Sequence, residues 1–251
     1  MPGFLILLDQ SIDLYKKHFA LLAGYMAWLL LPYATLVLFS LPTPSLLTST
    51  LSSISLFSQA LIGLWLGVLI PLVVNEVVLK KPKINLVILQ NKAWSILPSV
   101  IFVAILELAV FLGGFILLII PSLIFWVWFA MAQLAVTLDN KKGLAAMSWS
   151  RELVRGRFWE TAWRILAGPF LISLTFNLAI LILLIVLALI FQIPTSQIFS
   201  ETPPLWADII SMVIQTFSLP IILIYYTLLY LNLSKTKTSP QDETTTVPEK
   251  I

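Results

Sequence analysis

The sequence predicts an all-α fold, a polytopic membrane protein of six transmembrane helices arranged as three repeats of an amphipathic interfacial helix followed by a two-span hairpin. Three observations carry that expectation. Of 251 residues, 59% are hydrophobic and 11% charged, with a mean hydropathy of +0.99. Soluble domains carry roughly a quarter charged residues, so lipid is the solvent for most of this chain. Six apolar stretches reach the about 20 residues needed to cross a ~30 Å hydrocarbon core. Finally, the phrase SIDLYKKHF at 11–19 returns as SRELVRGRF at 150–158, each copy standing just before a long apolar run.

The spans are expected near 20–40, 56–79, 94–112, 115–138, 165–191 and 209–231. Helices are chosen over strands because backbone groups find no partner in lipid and the runs lack the period-two alternation of a membrane barrel. Between them, SLPTPSLLTSTLSSIS and QIPTSQIFSETPPLWAD read as connections, and Gly113-Gly114 as a tight turn joining the third and fourth spans. Every span holds a proline: Pro32, Pro71, Pro98, Pro121, Pro169 and Pro220. Each removes a helix hydrogen bond and bends its rod. Asp9 and Asp13 interrupt the first apolar stretch and the bases follow it, so the first span is expected to stay in the mature protein.

Charge tests this count independently. The fifteen Lys and Arg form four clusters: Lys16 and Lys17; Lys80, Lys81, Lys83 and Lys92; Lys141, Lys142, Arg151, Arg155, Arg157 and Arg164; and Lys235, Lys237 and Lys250. With six spans every cluster falls on one side, and the positive-inside rule puts both termini in the cytoplasm. The closing stretch SKTKTSPQDETTTVPEKI has too few apolar residues to offset ordering entropy. Residues 234–251 are therefore expected as a disordered cytoplasmic tail, and 1–233 as the membrane domain.

In the first copy of the repeated phrase, Leu5, Leu8, Ile12, Tyr15 and Phe19 follow helical spacing while Asp9, Asp13, Lys16 and Lys17 take another side. In the second, Ala146, Trp149, Leu153, Val154 and Phe158 are apolar, and Ser148, Arg151, Glu152 and Arg155 form a polar strip. Both read as helices lying in the headgroup layer. A weaker echo, INLVILQNKAW, precedes the third span and aligns Trp94 with Phe19 and Phe158. The units are then approximately 3–79, 84–138 and 144–231, parallel repeats because each holds an even number of spans.

Residues 119–159, with Pro121 early in the fourth span and then Ser150, Leu153, Gly156 and Trp159 in a Ser-x-x-Leu-x-x-Gly-x-x-Trp pattern, resemble a known membrane domain. It is the one associated with bacterial glycerophosphoryl diester phosphodiesterases, and with the related family of uncharacterised six-span bacterial membrane proteins. Tyr226 and Tyr230 in YYTLLYLNL are similar to the close of that family's last span. Trp149 and Asn232 depart from its pattern, standing where a base and an acid are usual. The resemblance implies a six-span fold in the bacterial cytoplasmic membrane. It carries no catalytic residue across, because the phosphodiesterase activity belongs to a separate soluble domain, for which this chain has no room.

With no cysteine and one histidine, thiolate and histidine-based metal sites are excluded, and no Walker loop, HExxH, GxSxG or CxxC is present. No catalytic residue, metal or cofactor is expected, and the protein is read as not an enzyme. Glu107 is the sharpest oddity, since a carboxylate inside a span costs several kcal/mol unless it faces protein or water or holds a proton. Asn177 and Gln133 are its candidate partners. Lys16, Lys17, Arg151 and Arg155 are candidate contacts to anionic lipid headgroups, each contributing about 1 kcal/mol near the surface. Trp94, Trp149, Trp159, Trp163 and Trp206 suit an aromatic belt. Despite a pI near 9.1, nucleic acid is not an expected partner, because the bases border spans and form no separate module. The expected role is a non-catalytic membrane scaffold or accessory module touching lipids or another membrane protein. The alternative is a transporter or channel for a small solute or lipid with Glu107 as an intramembrane polar site.

Overall fold

The computed structural model describes residues 3–40, 45–79, 84–117, 119–200 and 204–238, and among these there is no strand. The helices are α1 (Phe4–Lys17), α2 (Phe19–Met26), a single 3-10 turn (Ala27–Leu29), α3 (Leu30–Ser40), α4 (Leu46–Val78) and α5 (Leu86–Leu117). They continue as α6 (Ile119–Phe129), α7 (Ala132–Asp139), α8 (Leu144–Val154), α9 (Phe158–Ile190) and α10 (Leu205–Thr238). Six segments are long and apolar enough to cross a membrane: Phe19–Leu38, Leu46–Val78, Leu86–Phe115, Ile120–Asp139, Phe158–Ile190 and Leu205–Lys237. The all-α, six-span architecture expected from the sequence is the one present. Lys80, Lys81, Lys83, Lys250 and residues 239–251 of the expected tail lie outside the described residues.

The third and fifth spans begin earlier than expected, at Leu86 and Phe158, and three further departures have a local reason. The stretch read as the first connection is helical from Leu46, because Ser45 and Thr48 form a reciprocal capping box. Its hydroxyls then turn back on their own helix, as Thr50 does to the Leu46 carbonyl at 2.7 Å. Gly113-Gly114 is not a turn but lies within α5. A Cβ on Gly114 would sit 2.9 Å from the Phe125 ring and 3.0 Å from Ser122 Cα, so this glycine lets α6 pack close against α5. At the other end, α10 runs through Ser234 to Thr238, into the stretch expected to be disordered. The Lys237 ammonium reaches the Glu152 carboxylate on α8 at 3.1 Å, and Leu233 is fully buried just before it.

The core gathers around the second half of α4, where Leu66 and every residue from Val68 to Val74 are buried. By contrast α9 keeps large apolar side chains such as Phe170, Ile182 and Leu189 exposed, the pattern of a helix that meets lipid along one side. α1 docks on the bundle rather than standing apart, burying Leu7, Ser11 and Tyr15 against α9 and α10 while Leu5, and Phe19 at the start of α2, stay exposed. The apolar face read from the sequence is thus divided, one stripe turned into the protein and another outward. On α8 the expected division holds, with Ser148, Arg151 and Arg155 exposed and Ala146, Leu153 and Val154 buried.

A proline within a helix leaves the carbonyl four residues earlier without its donor. In α9, Pro169 does this to Ile165, and the Tyr226 hydroxyl of α10 donates to that carbonyl at 3.1 Å. Its neighbour Tyr225 donates to the Arg164 carbonyl at 2.8 Å, its ring lying against Gly168. In α10 Pro220 does this to Thr216, and the hydroxyl of Tyr15 of α1 donates to the next carbonyl, that of Phe217, at 2.7 Å. Burial pushes the Tyr15 hydroxyl pKa above its ordinary value. Tyrosines thus form interhelical joints beside the prolines of two spans. Near the opposite end of α10, the Tyr33 hydroxyl of α3 donates to Asp208 at 2.7 Å.

Candidate functional site

The fourth span breaks between α6 and α7 at Ala130–Met131, and α8 repairs the break. The fully buried Ser150 hydroxyl donates to the Trp128 carbonyl at 2.7 Å and accepts from the Met131 N–H at 3.1 Å. That stitch fixes α8 across the end of α6. A second joint lies beside it: the Tyr230 hydroxyl donates to Asp139 at the end of α7 and accepts from the Trp149 indole N–H at 3.1 Å. Lys141 sits 4.5 Å over the Trp149 ring. Gly156, with φ of +83°, then reverses the chain into α9.

Held this way, α8 overhangs a groove of about 1000 Å³ between α6 and α9. Its walls are apolar, with Leu123, Ile124 and Val127 on one side and Ala162 and Leu166 on the other. Arg151 and Arg155 stand at its α8 edge, and the largely exposed Trp159 flanks it. The Arg151 guanidinium lies 4.5 Å from the centre of the Trp128 ring, a cation–π contact that orients the fork. Arg155 is 3.8 Å from Glu152. Lys237 beside Glu152, first through its hydrogen bond and then through its charge, holds that carboxyl below the usual carboxylate range. Glu152 therefore already has a cation of its own, and the two arginines give this edge of the groove a positive balance.

A second, smaller cavity of about 270 Å³ lies between α4, α5, α6, α7 and α10. Glu107 and Gln133 both line it, and the Gln133 amide donates to Glu107 Oε2 at 2.7 Å. Asn177, expected beside them, is elsewhere: it is exposed on α9 and donates to its own helix at the Ser173 carbonyl, 2.7 Å away. A short amide side chain reaches its own backbone more readily than a neighbouring helix. Lys16 and Lys17 are exposed at the end of α1, away from the groove lining. Sequence reasoning missed Gly67, Pro71 and Tyr226, which complete the small cavity. The one signal for them was Pro71, whose missing N–H frees the Gly67 carbonyl.

Among the described residues no group of three or more His, Asp or Glu could hold a metal ion. The fold and these two cavities define a multi-pass α-helical membrane architecture with a basic-edged lateral groove. Compared with protein-family models, with curated proteins and with solved structures, the chain has no match.

Proposed function

We propose that the protein is a non-catalytic module of the bacterial cytoplasmic membrane that holds an anionic phospholipid in the groove between α6 and α9. The observation that carries this reading is the pairing of an apolar groove with the Arg151 and Arg155 guanidinium groups at its edge. Acyl chain fits the first and a phosphate diester the second, since a guanidinium fork matches phosphate oxygens. The trace of the resemblance, Ser150, Leu153, Gly156 and Trp159, supports the same site. Ser150 stitches α8, Leu153 anchors it, Gly156 turns the chain and Trp159 flanks the groove.

The full chain in nanodiscs, probed by native mass spectrometry, tests this. Phosphatidylglycerol should be retained over phosphatidylcholine. The double change Arg151→Gln with Arg155→Gln should cost about 2 kcal/mol, roughly 30-fold in affinity. Leu166→Trp, at an exposed groove position, should weaken whole phospholipid while sparing soluble glycerol phosphate. Equal retention of both lipids, or indifference to the arginines, would dismiss the reading.

Both termini are cytoplasmic in this proposal, supported by the one-sided distribution of Lys and Arg along the six spans. Accessibility labelling should find Lys16 and Lys141 on the same face, and opposite faces would refute it. The three-repeat arrangement belongs to the same reading, supported by Phe19 and Phe158 each opening a spanning helix just after an amphipathic one, whereas Trp94 lies within the continuous α5. It fails if superposing 3–79, 84–138 and 144–231 sets Phe19, Trp94 and Phe158 on unrelated elements.

A further inference from the structure

The Glu107 cavity offers acceptors and no cation. Glu107 Oε2 takes the Gln133 amide, while Oε1 is buried with no hydrogen-bond partner. The Gly67 carbonyl is bare of its helical donor because Pro71, one turn later, has no N–H, and both residues line the cavity. Tyr226, also in the wall, has its hydroxyl proton committed to the Ile165 carbonyl. No Lys, Arg or His is among the residues lining the space, whose remaining walls include the rings of Phe111, Phe125 and Phe129. A buried, half-bonded carboxylate demands a donor, and a charged one most of all. A single carboxylate is too poor a donor set for a hard divalent ion, which takes six or more oxygens. Aromatic walls favour an organic cation instead. At about 270 Å³ the space is below the roughly 300–1,000 Å³ of drug-sized sites, so that cation is small.

We propose that this cavity binds a small protonated alkylamine, its ammonium pairing with the Glu107 carboxylate and the Gly67 carbonyl and its alkyl part resting against the aromatic wall. This site shares only Trp126 of α6 with the lining of the lipid groove, and binding there stands or falls without it. Ethylammonium titrated at neutral pH against the full chain in nanodiscs, read by isothermal calorimetry, provides the test. Saturable binding is expected for ethylammonium and not for ethanol or sodium. Glu107→Gln should weaken it roughly tenfold or more, the scale of a lost hydrogen bond to a charged group. Gly67→Leu should abolish it with the carboxylate intact, because a Cβ there meets nothing within 4 Å and the side chain grows into open space. If Glu107→Gln does not fold, Gly67→Leu alone decides. The proposal is overturned by no saturable binding to the unaltered protein, by an equal response to ethanol, by a response to protons alone, or by undiminished affinity in Gly67→Leu.

Discussion

Gly168→Ala should destabilise the protein by about 2–4 kcal/mol, seen as a lower melting temperature in detergent and easier unfolding by denaturant. A Cβ at this position would lie 2.2 Å from Tyr225 Cζ and 2.5 and 2.6 Å from its two ε carbons. Those separations lie far inside the roughly 3.5–4.0 Å of carbon–carbon contact, so the ring or the helix must move. Tyr225 has no room to swing: it is fully buried, and its hydroxyl is held at 2.8 Å by the Arg164 carbonyl one turn before the glycine. Overpacking a core costs about 1–3 kcal/mol, and losing the tyrosine bond adds about 1. Combining Gly168→Ala with Tyr225→Leu, which removes the ring atoms in question, should cost less than the sum of the two single changes. Strict additivity would show that the α9–α10 joint is not where the strain falls.

Ser150→Ala should cost about 2–4 kcal/mol, while Ser11→Ala, its counterpart in the repeated phrase, should cost less than about 1 kcal/mol. Both serines are fully buried. Ser11 merely returns its proton to the Leu7 carbonyl of its own helix, at 2.6 Å, a bond whose removal leaves that carbonyl still in the helical ladder. Ser150 instead serves the broken fourth span, supplying an acceptor to Met131 and a donor to Trp128. Without it two backbone groups at a buried break lose their partner, each worth about 1–3 kcal/mol. Arg151 rides on Trp128, so phospholipid retention should weaken in Ser150→Ala and not in Ser11→Ala. Equal melting temperatures for the two variants would sink the distinction.

How far the sites could be read from the sequence depended on range. Glu107 was conspicuous because a charge in an apolar run is a local anomaly, and Gln133 was one of few polar residues able to answer it. Asn177 met the same description, yet it faces outward on α9. Nothing local fixes the rotation of one helix about its axis relative to another. Gly113-Gly114 shows the same limit: absence of a Cβ serves a turn and a close helix contact alike, and only the Phe125 ring against Gly114 decides between them. Arg151 and Arg155 were legible as an exposed basic strip, but the groove beneath them was not, because its walls come from α6 and α9, separate helices with α7 and α8 between them in the chain.

By itself the sequence determined that this chain is helical and how many of its segments can cross a bilayer. Those properties follow from apolar length and from a backbone that must satisfy itself in lipid, both carried by consecutive residues. Only the tertiary structure decided which polar groups meet. Helix rotation and spacing are set where a tyrosine finds a proline-freed carbonyl or a ring rests on a glycine, and such contacts join residues of different helices, as Tyr226 does with Ile165.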